Sequence, residues 1–202
     1  TNGQNSYLGG VTTFVIPSVV DSTGRATTWN LSRTSSSGSA TVYFVVMDVN
    51  GSYPTNPRVD NVATGTIGNN DSMNFAPHKY VGFTGDYVIR NNNRQYYNGN
   101  NVRVTGSGDI YSYYKRNQWK INFISEGNHV TQREVKTSEP IYYEANISAY
   151  GQGNDGNWYY EPTNGKDGYY FAGWYADAAG NDPFDFNTQM PNSDITVYAK
   201  WD

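Results

Sequence analysis

Two aromatic runs near the C-terminus restrict the fold of this chain more than any other feature. Gly168-Tyr169-Tyr170-Phe171-Ala172-Gly173-Trp174-Tyr175-Ala176-Asp177 is followed, after a polar turn region, by Ile195-Thr196-Val197-Tyr198-Ala199-Lys200-Trp201. Large aromatic and β-branched residues in short runs suit a pleated surface, where successive side chains point to opposite faces. Neither run supplies a nucleophile or a set of metal ligands, so both read as scaffold.

The rest of the chain agrees with strands rather than helices. Leucine, the staple of helical cores, occurs only at Leu8 and Leu31, whereas the chain holds 19 Tyr, 5 Trp and 8 Phe. Period-2 alternation recurs at residues 11–16, 41–46, 87–89, 101–104 and 110–114, each run bounded by Gly, Asn, Pro or Asp. Asn50-Gly51, Asn98-Gly99 and Asn164-Gly165 are expected to close turns, because positive φ costs little there. The run Ser35-Ser36-Ser37-Gly38-Ser39 reads as a flexible loop. With 202 residues, 37% of them hydrophobic, the chain has room for two small β modules. The expected boundary lies after Arg116, where Tyr113-Tyr114-Lys115-Arg116-Asn117 runs into a new strand at Trp119-Lys120-Ile121-Asn122-Phe123. No Gly/Ser linker intervenes, which predicts a stiff joint.

Several function classes are disfavoured at once. The chain has no Cys, so a disulfide framework, thiol catalysis and Cys-based zinc sites are all excluded. A net charge of -4 and scattered basic residues argue against a nucleic-acid partner. No stretch approaches the roughly 18 apolar residues of a membrane span, and no signal-peptide core is visible. Since it opens on Thr1, the chain reads as a segment of a longer protein. Its richness in Asn, Gly, Ser, Thr and Tyr suits an exported surface protein of a Gram-positive bacterium.

The Gly-Tyr-x-Phe-x-Gly-Trp-Tyr core at residues 168–175 and the closing Val197-Tyr198-Ala199-Lys200-Trp201 resemble the Listeria-Bacteroides repeat, the B repeat of the internalin surface proteins. A second resemblance covers residues 41–116. There Asp48-Val49-Asn50-Gly51-Ser52-Tyr53-Pro54, Gly65, Tyr80-Val81-Gly82-Phe83 and the Tyr113 to Asn117 ending are similar to the mucin-binding-protein repeat family. The resemblances imply a mainly β, α+β architecture: two tandem β-grasp or ubiquitin-like modules, residues 1–116 and 117–202. In each, a mixed sheet would curve over a short helix or irregular crossover. Residues 1–40 match neither family and are expected to add strands, at 11–16 and 26–31, to the first module. Between Gly127 and Gly168 the second module is longer than its family's usual unit. The surplus, residues 149–160, is a Gly/Asn loop ending in Trp158-Tyr159-Tyr160.

Exposed aromatics flanked by Asn and Asp are the usual means of holding a sugar ring. Trp158, Tyr159 and Tyr160 are therefore the first candidates for ligand binding, and Tyr96 with Tyr97, among Arg90, Arg94 and several Asn residues, the second. Tyr169, Phe171, Trp174, Tyr198 and Trp201 are assigned to the core by alternation and by the family pattern. Oxygen-rich stretches at Asp48 to Gly51, Asn154 to Asn157 and Asp177 to Asp185 could attract calcium, yet none ends in the bidentate Glu of an EF-hand, and turn formation explains each. The only histidines, His78 and His129, accompany no catalytic or metal-binding spacing, and Glu139, Glu144 and Glu161 cannot be paired for glycoside hydrolysis from sequence. A Lys to Asn isopeptide cross-link is chemically open, but no spacing points to one. The expectation is a monomeric, non-catalytic module without cofactor or bound metal, located outside the cell on a bacterial surface. Its expected partners are host glycans, host surface proteins or neighbouring repeats, with no insertion into membranes. The alternative is a dedicated carbohydrate-binding module.

Overall fold

A computed structural model describes residues 5–8, 11–15, 28–32, 37–55, 62–68, 72–74, 81–99, 101–104 and 108–202. The chain is mainly β and divides into two compact units, Thr1–Arg116 and Asn117–Asp202. None of the helices among the described residues is long and apolar enough to cross a membrane.

In chain order the first unit contains β1 (Asn5–Leu8), β2 (Val11–Val15), β3 (Thr28–Ser32), β4 (Ser37–Val46) and β5 (Val62–Gly68). They are followed by β6 (Ser72–Asn74), β7 (Phe83–Arg90), β8 (Asn93–Tyr96), β9 (Asn101–Arg103) and β10 (Ile110–Arg116). One sheet has the order β1-β2-β3-β6-β9 and the other β5-β4-β10-β7-β8. β1, β2 and β3 therefore share a sheet with β6 and β9, which lie much later in the chain. Of the Ser/Gly run, Ser37, Gly38 and Ser39 are not loop residues but begin β4 and pair with Gly68, Ile67 and Thr66, while Ser35 and Ser36 lie outside the described residues. A cross-strand ladder supplies the backbone partners that their weak strand propensity does not. β7 turns into β8 at Asn91-Asn92, both at positive φ, a conformation that Asn tolerates and a two-residue hairpin requires.

Alternation sets the two faces of the β10 sheet. Phe44, Val88, Ile110, Ser112 and Tyr114 are buried on one side, while Tyr43, Tyr87, Tyr111 and Tyr113 are only half-buried. Arg90 is buried too, its Nε donating to the Gly108 carbonyl at 2.9 Å.

The second unit contains β11 (Gln118–Trp119), β12 (Ile121–Ser125), β13 (Glu134–Thr137), β14 (Ile141–Tyr142), β15 (Phe171–Tyr175) and β16 (Ile195–Trp201). Its main sheet has the order β13-β12-β16-β15, and β12 runs parallel to β16 with Phe123 opposite Val197. A long irregular crossover from β14 to β15 holds one 3₁₀ turn, Ser148–Tyr150. The core gathers Ile121, Phe123, Ile141, Ile147, Trp174, Phe186, Met190 and Val197 beneath this sheet. Phe123 is its hub, edge-on to Trp174 at 5.0 Å and stacked on Phe186 at 6.3 Å.

Asn164-Gly165 closes no turn. Asn164 is buried; its side-chain N–H groups donate to the Ser125 carbonyl at 3.1 Å and the Gln132 carbonyl at 2.7 Å, and its Oδ1 accepts from Ser125 Oγ at 2.8 Å. Trp201 Nε1 also donates to Ser125 Oγ, at 2.9 Å. Gly165 lies flat beneath the Trp201 ring, where a Cβ would come within 2.3 Å of it. The dipeptide thus clamps the crossover to β12 and β16, and close approach rather than positive φ requires the glycine.

Trp174 is 2% exposed, with its indole N–H donating to the Tyr160 carbonyl at 3.0 Å. Trp174→Ala would lose the buried ring and leave a cavity, at a cost of about 3–5 kcal/mol. Urea unfolding should show a transition of the second unit at much lower denaturant; a midpoint equal to the parent's would remove Trp174 from the core.

Candidate functional site

The crossover loop in the second unit is a small self-contained hairpin. Gly153 N–H donates to the Asn157 carbonyl at 2.7 Å, Tyr159 N–H to the Gly151 carbonyl at 3.0 Å, and Gln152 Nε2 to the Gly156 carbonyl at 2.7 Å. Asp155 closes the tip, accepting from the Asn157 backbone at 3.0 Å and its side chain at 2.8 Å. These bonds hold the Asp155 carboxyl below the usual carboxylate range.

The three aromatics that follow do not form one exposed patch. Trp158 is half-buried, edge-on to Phe171 at 5.5 Å and packed on Gly173, where a Cβ would approach it to 3.3 Å. Gly173 has φ +131° and sits at a register shift between β15 and β16, so a bulge makes room for the indole. Tyr160 is half-buried, stacked on Trp174 at 5.8 Å, and its hydroxyl donates to the Glu134 carboxylate. Only Tyr159 is exposed, at 43%, although its ring touches Tyr150 at 4.8 Å. Alternation separates Tyr159 from its neighbours, and burial against the sheet recruits those neighbours into the core.

Tyr96 and Tyr97 diverge in the same way. Tyr96 is 64% exposed. Tyr97 is half-buried over Gly85, where a Cβ would meet its ring at 2.9 Å, and its hydroxyl lies 2.9 Å from Ser112 Oγ. Tyr97 therefore packs against the sheet, unlike its exposed neighbour Tyr96. Among the residues assigned to the core, Trp174 is buried and Phe171, Tyr198 and Trp201 are half-buried, but Tyr169 is exposed and stacks on His129 at 4.4 Å. Tyr169 precedes β15, so strand alternation does not direct it inward. His78 lies outside the described residues.

Around Tyr96 stands an aromatic group that the sequence reading missed. Tyr87 lies edge-on to Tyr96 at 5.7 Å and stacks on Tyr113 at 4.5 Å. Tyr53 caps both, at 5.8 Å from Tyr87 and 5.1 Å from Tyr113, while Tyr43 stacks on Tyr111 at 4.8 Å. The Arg94 guanidinium lies over Tyr87 at 4.2 Å. Tyr53 reaches this position because Asp48 to Ser52 form a tight turn: Gly51 N–H donates to the Asp48 carbonyl at 3.0 Å and Ser52 N–H to Asn50 Oδ1 at 2.9 Å. Its hydroxyl then donates to Asp86 Oδ2 at 2.8 Å. Burial, and secondarily the Asp86 contact, push the Tyr53 phenol far above its ordinary value; burial also raises Tyr87 and Tyr113. All three stay neutral at physiological pH. Two pairs of direct cross-strand partners, Tyr87 with Tyr113 and Tyr87 with Tyr96, build the group, and strand register is what the sequence alone withheld.

The oxygen-rich stretches serve turns. The Asp177 carboxylate accepts backbone N–H groups from Ala179 at 2.9 Å, Asn181 at 3.0 Å and Asp182 at 2.7 Å, which lowers its pKa. No group of three or more His, Asp or Glu side chains is placed to hold a metal ion among the described residues.

Burial, with the Glu134 hydrogen bond second, holds the Tyr160 phenol well above its ordinary range. A folded-state pKa above the unfolded value of about 10 means that this contribution to stability is complete below that pH and is lost as pH rises beyond it. Trp119, Trp158, Trp174 and Trp201, four of the chain's five Trp, report on the second unit. Stability measured by Trp fluorescence should fall above about pH 10, and Tyr160→Phe should make that decline shallower. An identical decline in the variant would break the link between Tyr160 and Glu134.

None of the curated proteins matches the chain. Residues 119–200, from β11 to the penultimate residue of β16, match the family model described as the Listeria-Bacteroides repeat domain, so the second unit is similar to that repeat.

Proposed function

We propose that the chain is a non-catalytic repeat region of a bacterial cell-surface protein, an adhesive stalk that stands outside the cell and carries tension between the envelope and an attachment site. Each unit is a β-grasp module in this reading, and the chain works as a monomer beside neighbouring repeats. The similarity of residues 119–200 to the Listeria-Bacteroides repeat supports a surface setting. In this reading the first unit is a mucin-binding-type module, and its partners are host glycans or host surface proteins.

The observation that carries the proposal is the pairing of β12 with β16. These are the first and last strands of the second unit's main sheet; they are adjacent and parallel, registered from Ile121 opposite Ile195 to Ile124 opposite Tyr198. Force applied at the two ends of the unit drags these strands in opposite directions along their length. The hydrogen bonds between them then break together rather than one after another. The first unit repeats the plan: β4 and β10 are parallel neighbours, β5 flanks β4, and β7 flanks β10. Such an arrangement suits a spacer under load, and the crowding of Trp158 and Tyr160 into the core suits a stalk better than a site on that loop.

Because the chain has no Cys, engineered thiols give unique attachment points for single-molecule pulling. Lys120→Cys with Asp202→Cys would shear β12 against β16, whereas Lys120→Cys with Ser193→Cys would peel the same strands apart from one end. The expected result is one abrupt unfolding event in shear, at a force several times that for peeling. Equal forces in the two geometries would refute a tension-bearing role.

A further inference from the structure

We propose that the tyrosine face of the first unit binds oligosaccharides that carry a carboxylated pyranose. The assignment rests on the adhesive reading above and supplies the contact which that reading requires. Tyr53, Tyr87, Tyr96 and Tyr113 are joined by ring contacts of 4.5–5.8 Å, and Tyr43 stacks on Tyr111 as a separate pair on the same strands' face. The opposite face of the same strands buries Phe44, Val88, Ile110 and Tyr114, whereas on the tyrosine face Val45, the partner of Tyr113, is fully buried and the rings themselves stay half-buried or exposed. A face meant only for apolar contact could use Val, Ile or Leu. Tyrosine instead supplies a flat π surface for the C–H face of a sugar ring, with a hydroxyl at its rim for the sugar's own hydroxyls.

Charge selects among saccharides. Arg94 is exposed, and its guanidinium lies over the Tyr87 ring beside Tyr96, the cross-strand partner of Tyr87. Among the described residues it makes no ion pair. In a chain with 18 acidic and 14 basic residues, an unpaired cation laid on an aromatic face is a specific placement. The nearby carboxylate, Asp86, already accepts the Tyr53 hydroxyl. A guanidinium fixed by ring stacking keeps an edge for two parallel N–H bonds to a carboxylate. The ring of the same sugar would lie against Tyr96, the most exposed tyrosine of the group.

The test titrates the full chain with sialyllactose and tetragalacturonate as acidic probes, and with lactose and maltotetraose as neutral ones, by calorimetry. At least one acidic probe should bind. Arg94→Gln should weaken it by about tenfold or more, the scale of one charge-assisted pair, and bring it level with its neutral counterpart. Arg94→Lys should recover only part of the loss. Tyr96→Ala should weaken acidic and neutral probes together. Both positions are exposed, and melting curves that match the parent's will show that the variants fold. Should Tyr96→Ala melt early, chemical-shift changes at the Tyr96 and Tyr87 rings of the parent on adding sialyllactose or tetragalacturonate decide the location. No binding of any probe, or binding indifferent to Arg94, overturns the proposal. A blank panel together with intact shear resistance overturns the glycan site alone, whereas low shear resistance overturns the stalk reading whatever the panel shows.

Discussion

The second unit depends on one pairing: its first sheet strand lies beside its last, and the two run in the same direction. Parallel neighbours cannot be joined by a tight hairpin, so the chain must leave β12, cross the sheet and return before β16 can pair. The long stretch between them is the consequence. It supplies β13 and β15 to flank the central pair, and it folds Ile147, Phe186 and Met190 over Phe123 and Val197. The core and the pairing support each other, because Phe123 and Val197 are both cross-strand partners and fully buried. Neither would persist without the other: the pairing spans few residues, and the core closes only when the two strands meet.

An irregular crossover carries many polar backbone groups that must find partners. The unit solves this locally. Asn164 ties the crossover to Ser125 of β12 through two hydrogen bonds and to Gln132, before β13, through a third, Asp177 gathers the N–H groups of the turn after β15, and Glu134 accepts from Tyr160 and from the Thr163 backbone. Trp158 and Tyr160 of the crossover loop are spent on the same task of covering the sheet. In the first unit the equivalent economy is absent from one face, where tyrosines pack against each other at the surface. Interior and exterior thus use the same residue type for different ends, and register decides which is which.

Much of the strand content was legible because period-2 alternation survives in short runs: the segments at 11–16, 87–89, 101–104 and 110–114 all hold strands, and Trp174 occupies the interior position that its pattern implies. What failed did so for identifiable reasons. Asn164-Gly165 has turn chemistry locally, but a buried Asn and a glycine under Trp201 are set by contacts about 35 to 40 residues away in the chain. Tyr169 was grouped with its neighbours although it lies outside β15. Trp158 and Tyr160 looked like loop residues until the bulge at Gly173 made a seat for one and Trp174 stacked on the other. The surface group around Tyr87 is assembled from three separate strands and a turn, a juxtaposition that only register supplies.

If the parallel pair is the constraint on which the second unit rests, its amides should open last. Native-state hydrogen exchange across the full chain would measure this directly. The expected result is that the amides at the centre of β12 and β16, around Phe123 and Val197, exchange slowest in the unit, with one common free energy equal to that of its global unfolding. Early exchange of β16 as a group, while β12, β13 and the crossover stay protected, would show that the last strand is an accessory to the fold and not its closing element.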